Sequence, residues 1–80
     1  MINEKEVRDL LCNLCVELGF CLSPEDGKRI EEDPPSDVIT FTDAVFVAEG
    51  LDPSTADRHL YRQVRDMIAE AFRRAEYDGA

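Results

Sequence analysis

Residues 38–50 read Val38-Ile39-Thr40-Phe41-Thr42-Asp43-Ala44-Val45-Phe46-Val47-Ala48-Glu49-Gly50. The opening five are β-branched or aromatic, which suits a strand. Yet Val38, Phe41, Val45 and Ala48 share one helical face, and Gly50 ends the run as a helix stop does. We read a helix from residue 38 or 41 to 49, capped by Thr40 or Ser36. The alternative makes 38–42 a strand, paired with Phe20-Cys21-Leu22 (residues 20–22) in a minor two-stranded ribbon.

The flanking segments read as helices. Asn3 and Glu6 form a capping box, with Ile2 and Val7 as a hydrophobic staple. Val7, Leu10, Leu11, Leu14 and Leu18 follow at helical spacing, and Gly19 supplies the stop. Cys12, Cys15 and Val16 widen this apolar arc, so the first helix is expected to be covered on more than one side, by its own domain or by a second copy. Ser23-Pro24-Glu25-Asp26 reads as a second helix start, and Pro34-Pro35 as its end. Only Ile30 is clearly apolar inside it, which gives it a slight hold on the core. The last helix is long. Asp52 is its expected cap, Pro53 its first residue, and Leu51 staples to Ala56. Leu60, Val64, Met67, Ile68, Ala71, Phe72 and Ala75 carry it to about Glu76, with residues 77–80 as a frayed tail.

The expected fold is therefore all-α. It is a single domain over residues 1–80, a small bundle of about four helices, two long and two short. Its core draws on Val7, Leu10, Leu11, Leu14, Leu18, Phe41, Val45, Leu60, Val64, Ile68, Ala71 and Phe72.

Charge narrows the function. The 80 residues carry a formal net charge of −9. Residues 1–57 hold 14 acids and four bases, whereas residues 58–80 hold four acids and five bases. Such acidity opposes contact with nucleic-acid phosphates and with anionic membranes. It favours solubility and a cationic partner surface. The first residues lack the basic and apolar regions of a signal peptide. Three cysteines without such a signal read as reduced thiols in a cytoplasm.

The nearly neutral last helix carries the most suggestive feature. Arg58, Arg62, Arg65 and Arg73 fall within one arc beside its apolar face. They are the candidate partner-binding residues, able to grip phosphate or carboxylate groups. The competing reading pairs them with the protein's own acids, such as Glu31, Glu32, Asp33 and Asp37, or leaves them solvated.

Gly50-Leu51-Asp52-Pro53-Ser54-Thr55-Ala56-Asp57-Arg58-His59-Leu60 resembles the turn and second helix of bacterial helix-turn-helix regulators. That resemblance implies DNA binding through residues 50–65, with Ser54, Thr55 and Arg58 approaching bases. Phe46, Glu49 and His59 depart from the family's pattern, and the acidic balance opposes phosphate contact. The size and acidity are also similar to those of acyl carrier proteins, but their Asp-Ser motif is missing.

Cys12-x-x-Cys15 with Cys21 invites a metal or redox reading. The pair lies mid-helix rather than on a tight turn or at a helix N-terminus. We read the three cysteines as small core residues. Ser23, Ser36, Ser54 and the cysteines have one candidate base, His59, and no motif gathers them. No catalytic set, cofactor or metal site is expected. The expected function is that of a small cytoplasmic protein of bacterial type, acting through protein–protein contact with another protein or with itself as a homodimer. The DNA-binding regulator is the alternative.

Overall fold

α1 (Glu4–Leu18) begins where its cap is complete. The Asn3 side-chain oxygen accepts the Glu6 N–H at 2.8 Å, and the Glu6 carboxylate accepts the Asn3 N–H at 3.2 Å. Two donors that a helix start leaves orphaned are thus satisfied reciprocally. The helix ends at Gly19, whose φ of +75° is a left-handed conformation that glycine adopts without a Cβ clash. The Phe20 N–H then reaches back to the Leu14 carbonyl at 3.1 Å, and Phe20 is buried. The computed structural model describes residues 3–78, with side chains through Ala75. Ile2, the expected staple partner of Val7, lies outside the described residues.

α2 (Pro24–Glu32) starts as its sequence implies. The Ser23 hydroxyl accepts the Asp26 N–H at 3.2 Å, and Pro24 occupies the first turn, where its missing N–H costs nothing. Asp33 leaves the helical region just before Pro34, as the clash with a following proline ring dictates. Ile30 is the helix's only buried residue, yet just 7% of it remains exposed. The hold on the core is one side chain wide but firm.

α3 (Val38–Ala48) settles the ambiguous run as a helix. Its cap is neither Thr40 nor Ser36 but Asp37. That carboxylate accepts the Thr40 N–H at 3.0 Å and the Thr40 hydroxyl at 2.7 Å. The Thr42 hydroxyl, fully buried, donates to the Val38 carbonyl one turn earlier at 2.8 Å, so no polar group is stranded. Residues 20–22 have no regular structure, and no strand occurs among the described residues. The two-stranded ribbon is therefore excluded, because the cap and the burial of Phe41, Thr42, Val45 and Phe46 fix the helical period. Gly50, with φ of +81°, ends the helix; its N–H bonds the Val47 carbonyl and the Leu51 N–H bonds the Phe46 carbonyl, both at 2.9 Å.

α4 (Arg58–Asp78) starts five residues later than the sequence suggests. Asp52 does not cap it. The Asp52 carboxylate accepts the Ser54 N–H and hydroxyl, and its carbonyl accepts the Thr55 N–H, closing a turn around Pro53. Asp57 is the cap, accepting the His59 N–H at 2.9 Å on its carboxylate and the Tyr61 N–H on its carbonyl. Leu51 is exposed rather than stapled, whereas Ala56 packs at the edge of the core. At the other end the helix continues past Glu76 to Asp78, and Gly79 and Ala80 lie outside the described residues.

The four helices form an all-α bundle. α1 lies against α2 and α4, and α3 lies against α4. Val7, Leu10, Leu14, Phe41, Val45, Val64 and Ile68 are buried as expected. Leu11, Leu18, Leu60, Ala71 and Phe72 pack around them, partly exposed. Phe20 and Phe46 join the core although the sequence pattern did not place them there, and Ile30 is held more firmly than the slight contact expected. Phe46 meets Phe20 edge-on at 5.0 Å and Tyr61 at 5.3 Å, while Phe41 meets Phe72 at 5.7 Å.

The two aspartates before α4 give a direct check. Asp57→Ala removes an N-cap and is expected to cost about 1 kcal/mol in a urea melt followed by circular dichroism. Asp52→Ala loosens only a surface turn and should cost less than about half of that. The reverse order would place the helix start at Pro53.

Candidate functional site

Three surface features carry enough chemistry to consider: the arginine edge, a groove between α1 and α4, and a groove between α2 and α3.

Arg58, Arg62 and Arg73 are exposed on one edge of α4, and Arg65 is half-buried beside them. They do not bond the protein's own acidic segment. Glu31 instead holds Arg8 at 2.7 Å, and Asp37 holds Thr40. Arg65 bonds its neighbour Asp66 at 3.2 Å. No other member of the edge makes an ion pair among the described residues. The fifth arginine, Arg74, lies off that edge and bonds Glu70. The edge is thus a solvated cationic strip on an acidic protein.

The groove between α1 and α4 is lined by Glu6, Asp9, Asn13, Glu17, Glu70 and Arg74 over Leu10, Met67 and Ala71. Its walls are polar. Glu6 is engaged in the α1 cap and Glu70 in the pair with Arg74.

The groove between α2 and α3 is different. Ile30, Ala44, Val47 and Ala48 give it an apolar floor, and Asp26, Arg29, Thr40 and Asp43 form its margins. It is open, about 610 Å³ in volume. Val47 is 63% exposed there, a large apolar side chain in water. The charges at the margin are held in place. Asp26 accepts from the Ser23 hydroxyl and lies 3.8 Å from Arg29. Asp43 accepts a 2.8 Å hydrogen bond from the Tyr61 hydroxyl of α4. Burial, reinforced by that bond to Asp43, pushes the Tyr61 phenol above its ordinary pKa. A strip running from α2 through the first half of α3, residues 25–43, carries seven acids and two bases. The apolar floor therefore lies in an acidic neighbourhood.

Asp37 and Asp52 are held below the ordinary carboxylate range by the side-chain hydrogen bonds from Thr40 and Ser54, and then by backbone donors. Glu49, at the end of α3, has one carboxylate oxygen shielded from water and without a hydrogen-bond partner.

The helix-turn-helix resemblance does not extend to the geometry. Nine residues, 49–57, separate α3 from α4, whereas that motif joins its helices through a turn of roughly three to four residues. Ser54 and Thr55 lie in the connection, and only Arg58 of the three stands on a helix.

Of the three cysteines expected as reduced core residues, Cys12 alone keeps a free thiol, and none is fully buried. Cys15 and Cys21 form a disulfide whose Cα atoms are 4.3 Å apart. Cys12 is a free, exposed thiol, Cys21 is exposed and Cys15 is half-buried. Gly19, legible as the helix stop, also sets this pairing. A left-handed residue there folds the chain back, bringing position 21 over position 15. His59 is exposed at the start of α4. Among the described residues no group of three His, Cys, Asp or Glu side chains is placed to hold a metal ion. No helix among them is long and apolar enough to cross a membrane.

No family model matches the chain, and no curated protein or solved structure matches it with significance.

The Tyr61–Asp43 bond that ties the groove's margin to α4 can be read by titration. In a Tyr77→Phe background, absorbance at 295 nm should report a phenol titrating above the usual value of about 10. Asp43→Asn should bring it part of the way back, since burial remains. The folded-state pKa is raised, so this contribution to stability is complete below the unfolded value and is lost as pH rises through the folded one.

Proposed function

We propose that the protein is a binding module that seats a cationic amphipathic helix of another protein in the groove between α2 and α3. One observation carries this reading: an exposed apolar floor around Val47, set in an acidic strip of an acidic chain. An amphipathic helix offers its apolar face to such a floor and its Lys and Arg to the surrounding carboxylates. The net charge of −9 adds long-range attraction for cations, which speeds encounter and weakens with salt. α1 has α2 on one side and α4 on another, and of its wide apolar arc Cys12 and Val16 stay exposed. Two neighbouring side chains fall far short of the roughly 800 Å² per partner of a stable interface, which favours an occupant other than a second copy. The exposed arginine edge on α4 is the natural place for a secondary contact with acidic groups of the same partner.

A labelled 18-residue Leu/Lys helical peptide is the probe, titrated by fluorescence anisotropy. We expect saturable one-to-one binding in the micromolar range that weakens between low and high salt. Val47→Arg should weaken it at least tenfold. Val16→Arg changes the net charge equally at another exposed valine, on α1, and should have a much smaller effect. Equal losses from the two variants, or no binding at low salt, would overturn the groove as the site. Sedimentation that shows a dimer abolished by Val47→Arg would assign the groove to a second copy instead.

A further inference from the structure

We propose that Cys12, Cys15 and Cys21 form a thiol–disulfide exchange site, in which the free Cys12 thiol on α1 displaces Cys21 from its bond to Cys15. This inference does not depend on the binding reading. It rests on a juxtaposition at the C-terminal half of α1. Cys15 is already in a disulfide, and a free exposed thiol stands three residues before it on the same helix. Helix geometry, with a 1.5 Å rise and a radius near 2.3 Å, puts the Cα atoms of residues i and i+3 about 5 Å apart. That lies inside the range of roughly 4.4–6.8 Å that disulfides span. Side chains at that spacing are neighbours on the helix surface, with Cβ atoms about 5–6 Å apart. A disulfide draws Cβ atoms to about 3.5–4.5 Å, so the exchanged bond requires α1 to tighten locally. The Cys15–Cys21 bond is accordingly the major form and the Cys12–Cys15 bond the minor one.

The step balances without an oxidant or a reductant. Cys12 loses its proton to solvent, and its Sγ thiolate attacks the Sγ of Cys15 in line with the existing bond. The Cys12–Cys15 bond forms, the Cys15–Cys21 bond breaks, and the electron pair leaves on the Sγ of Cys21, which takes up a proton from water. The disulfide count is unchanged. What moves is the free thiol, from the outer face of α1 to the exposed connection before α2. An incoming electrophile or disulfide thus meets one of two attachment points, according to the isomer present. The exposure of Cys12 and Cys21 leaves both ends of the exchange open to reagents.

Disulfide mapping tests this on the full chain. The oxidised protein is held at pH 8, quenched in acid, alkylated with N-ethylmaleimide, cleaved after Leu14 and Glu17, and read by mass spectrometry. We expect Cys15–Cys21 with alkylated Cys12 as the main species and a Cys12–Cys15 species with alkylated Cys21 growing in over time. Cys12→Ser should show no movement. Cys21→Ser, treated with glutathione disulfide, should lose two hydrogens and keep no glutathione, the sign of a Cys12–Cys15 bond. Persistent glutathione adducts on that variant would overturn the proposal. So would a wild-type chain that shows only Cys15–Cys21 throughout, or three free thiols after oxidation.

Discussion

The ring of Phe46 is shielded from water and lies against two other aromatic rings, Phe20 from the segment after α1 and Tyr61 from α4. A buried Phe contributes roughly 1.5–3 kcal/mol over an exposed one, and each well-oriented aromatic pair adds about 0.5–1.5 kcal/mol. In a chain of 80 residues, whose whole net stability amounts to a few kcal/mol, that one cluster rivals the total. Its demands propagate. Phe46 can reach both partners only if 38–48 is a helix with Phe41, Val45 and Phe46 on its inner face. Phe20 can reach it only if the chain reverses at Gly19. Tyr61 can reach it only from the first turn of α4, and there its hydroxyl finds Asp43. The groove under Val47 is the opposite face of the same helix, exposed because the inner face is committed.

How far the sequence could be read follows from the range of the forces involved. The starts of α1 and α2 were legible because their caps lie within three residues of the groups they satisfy. The start of α4 was not, because Asp52-Pro53-Ser54 suits two structures equally. Asp then Pro opens a helix, and Asp then Pro also opens a turn. Asp57, five residues on, is the cap that the structure uses, and the pattern 60–75 is compatible with either start. The all-α class was legible from periodicity, and so was the inward position of Ile30, but the burial of Phe20 and Phe46 was not. Phe20 follows the stop at Gly19 and Phe46 lies beside the Phe41–Val45 stripe, and each packs against the other's ring. For the site, the arginine edge could be counted off a helical wheel, but the α2–α3 groove is a tertiary product. Val47 lies off the face shared by Val38, Phe41 and Val45, so its exposure agrees with the helical reading, but the wall that α2 adds beside it comes only from tertiary packing.

The charges show a related separation between local and global electrostatics. Many of the bonded carboxylates are satisfied by groups within three or four residues: Glu6 by Asn3, Asp37 by Thr40, Asp52 by Ser54, Glu70 by Arg74. Among the described residues, Arg8 with Glu31 is the ion pair that joins two helices. Folding therefore uses little of the charge for tertiary contacts, and the excess of negative charge remains available to act outward. At physiological salt that field reaches about 8 Å, enough to bias an approaching cation but not to fix its pose. Fixing the pose falls to short-range apolar contact, which the exposed Val47, with the half-buried Ala44 and Ala48 beside it, supplies.

The disulfide belongs to the same economy of contacts. It spans Gly19 and Phe20, tying the reversal that carries Phe20 to Phe46. Its sequence separation of 6 closes a small ring, which by chain-entropy reasoning stabilises the fold by about 2 kcal/mol through the unfolded state. A ring between residues 12 and 15 is smaller still, and the logarithmic dependence on length makes its contribution similar, also about 2 kcal/mol. The entropy of the unfolded chain thus hardly distinguishes the two linkages, and the native fit decides between them. The reversal also rests on the left-handed Gly19, the bond from the Phe20 N–H to the Leu14 carbonyl, and the aromatic contact itself, none of which involves the cysteine sulfurs. Those interactions hold Phe20 without the covalent tie, so the position of the disulfide is free to vary while the core around Phe46 stays as it is.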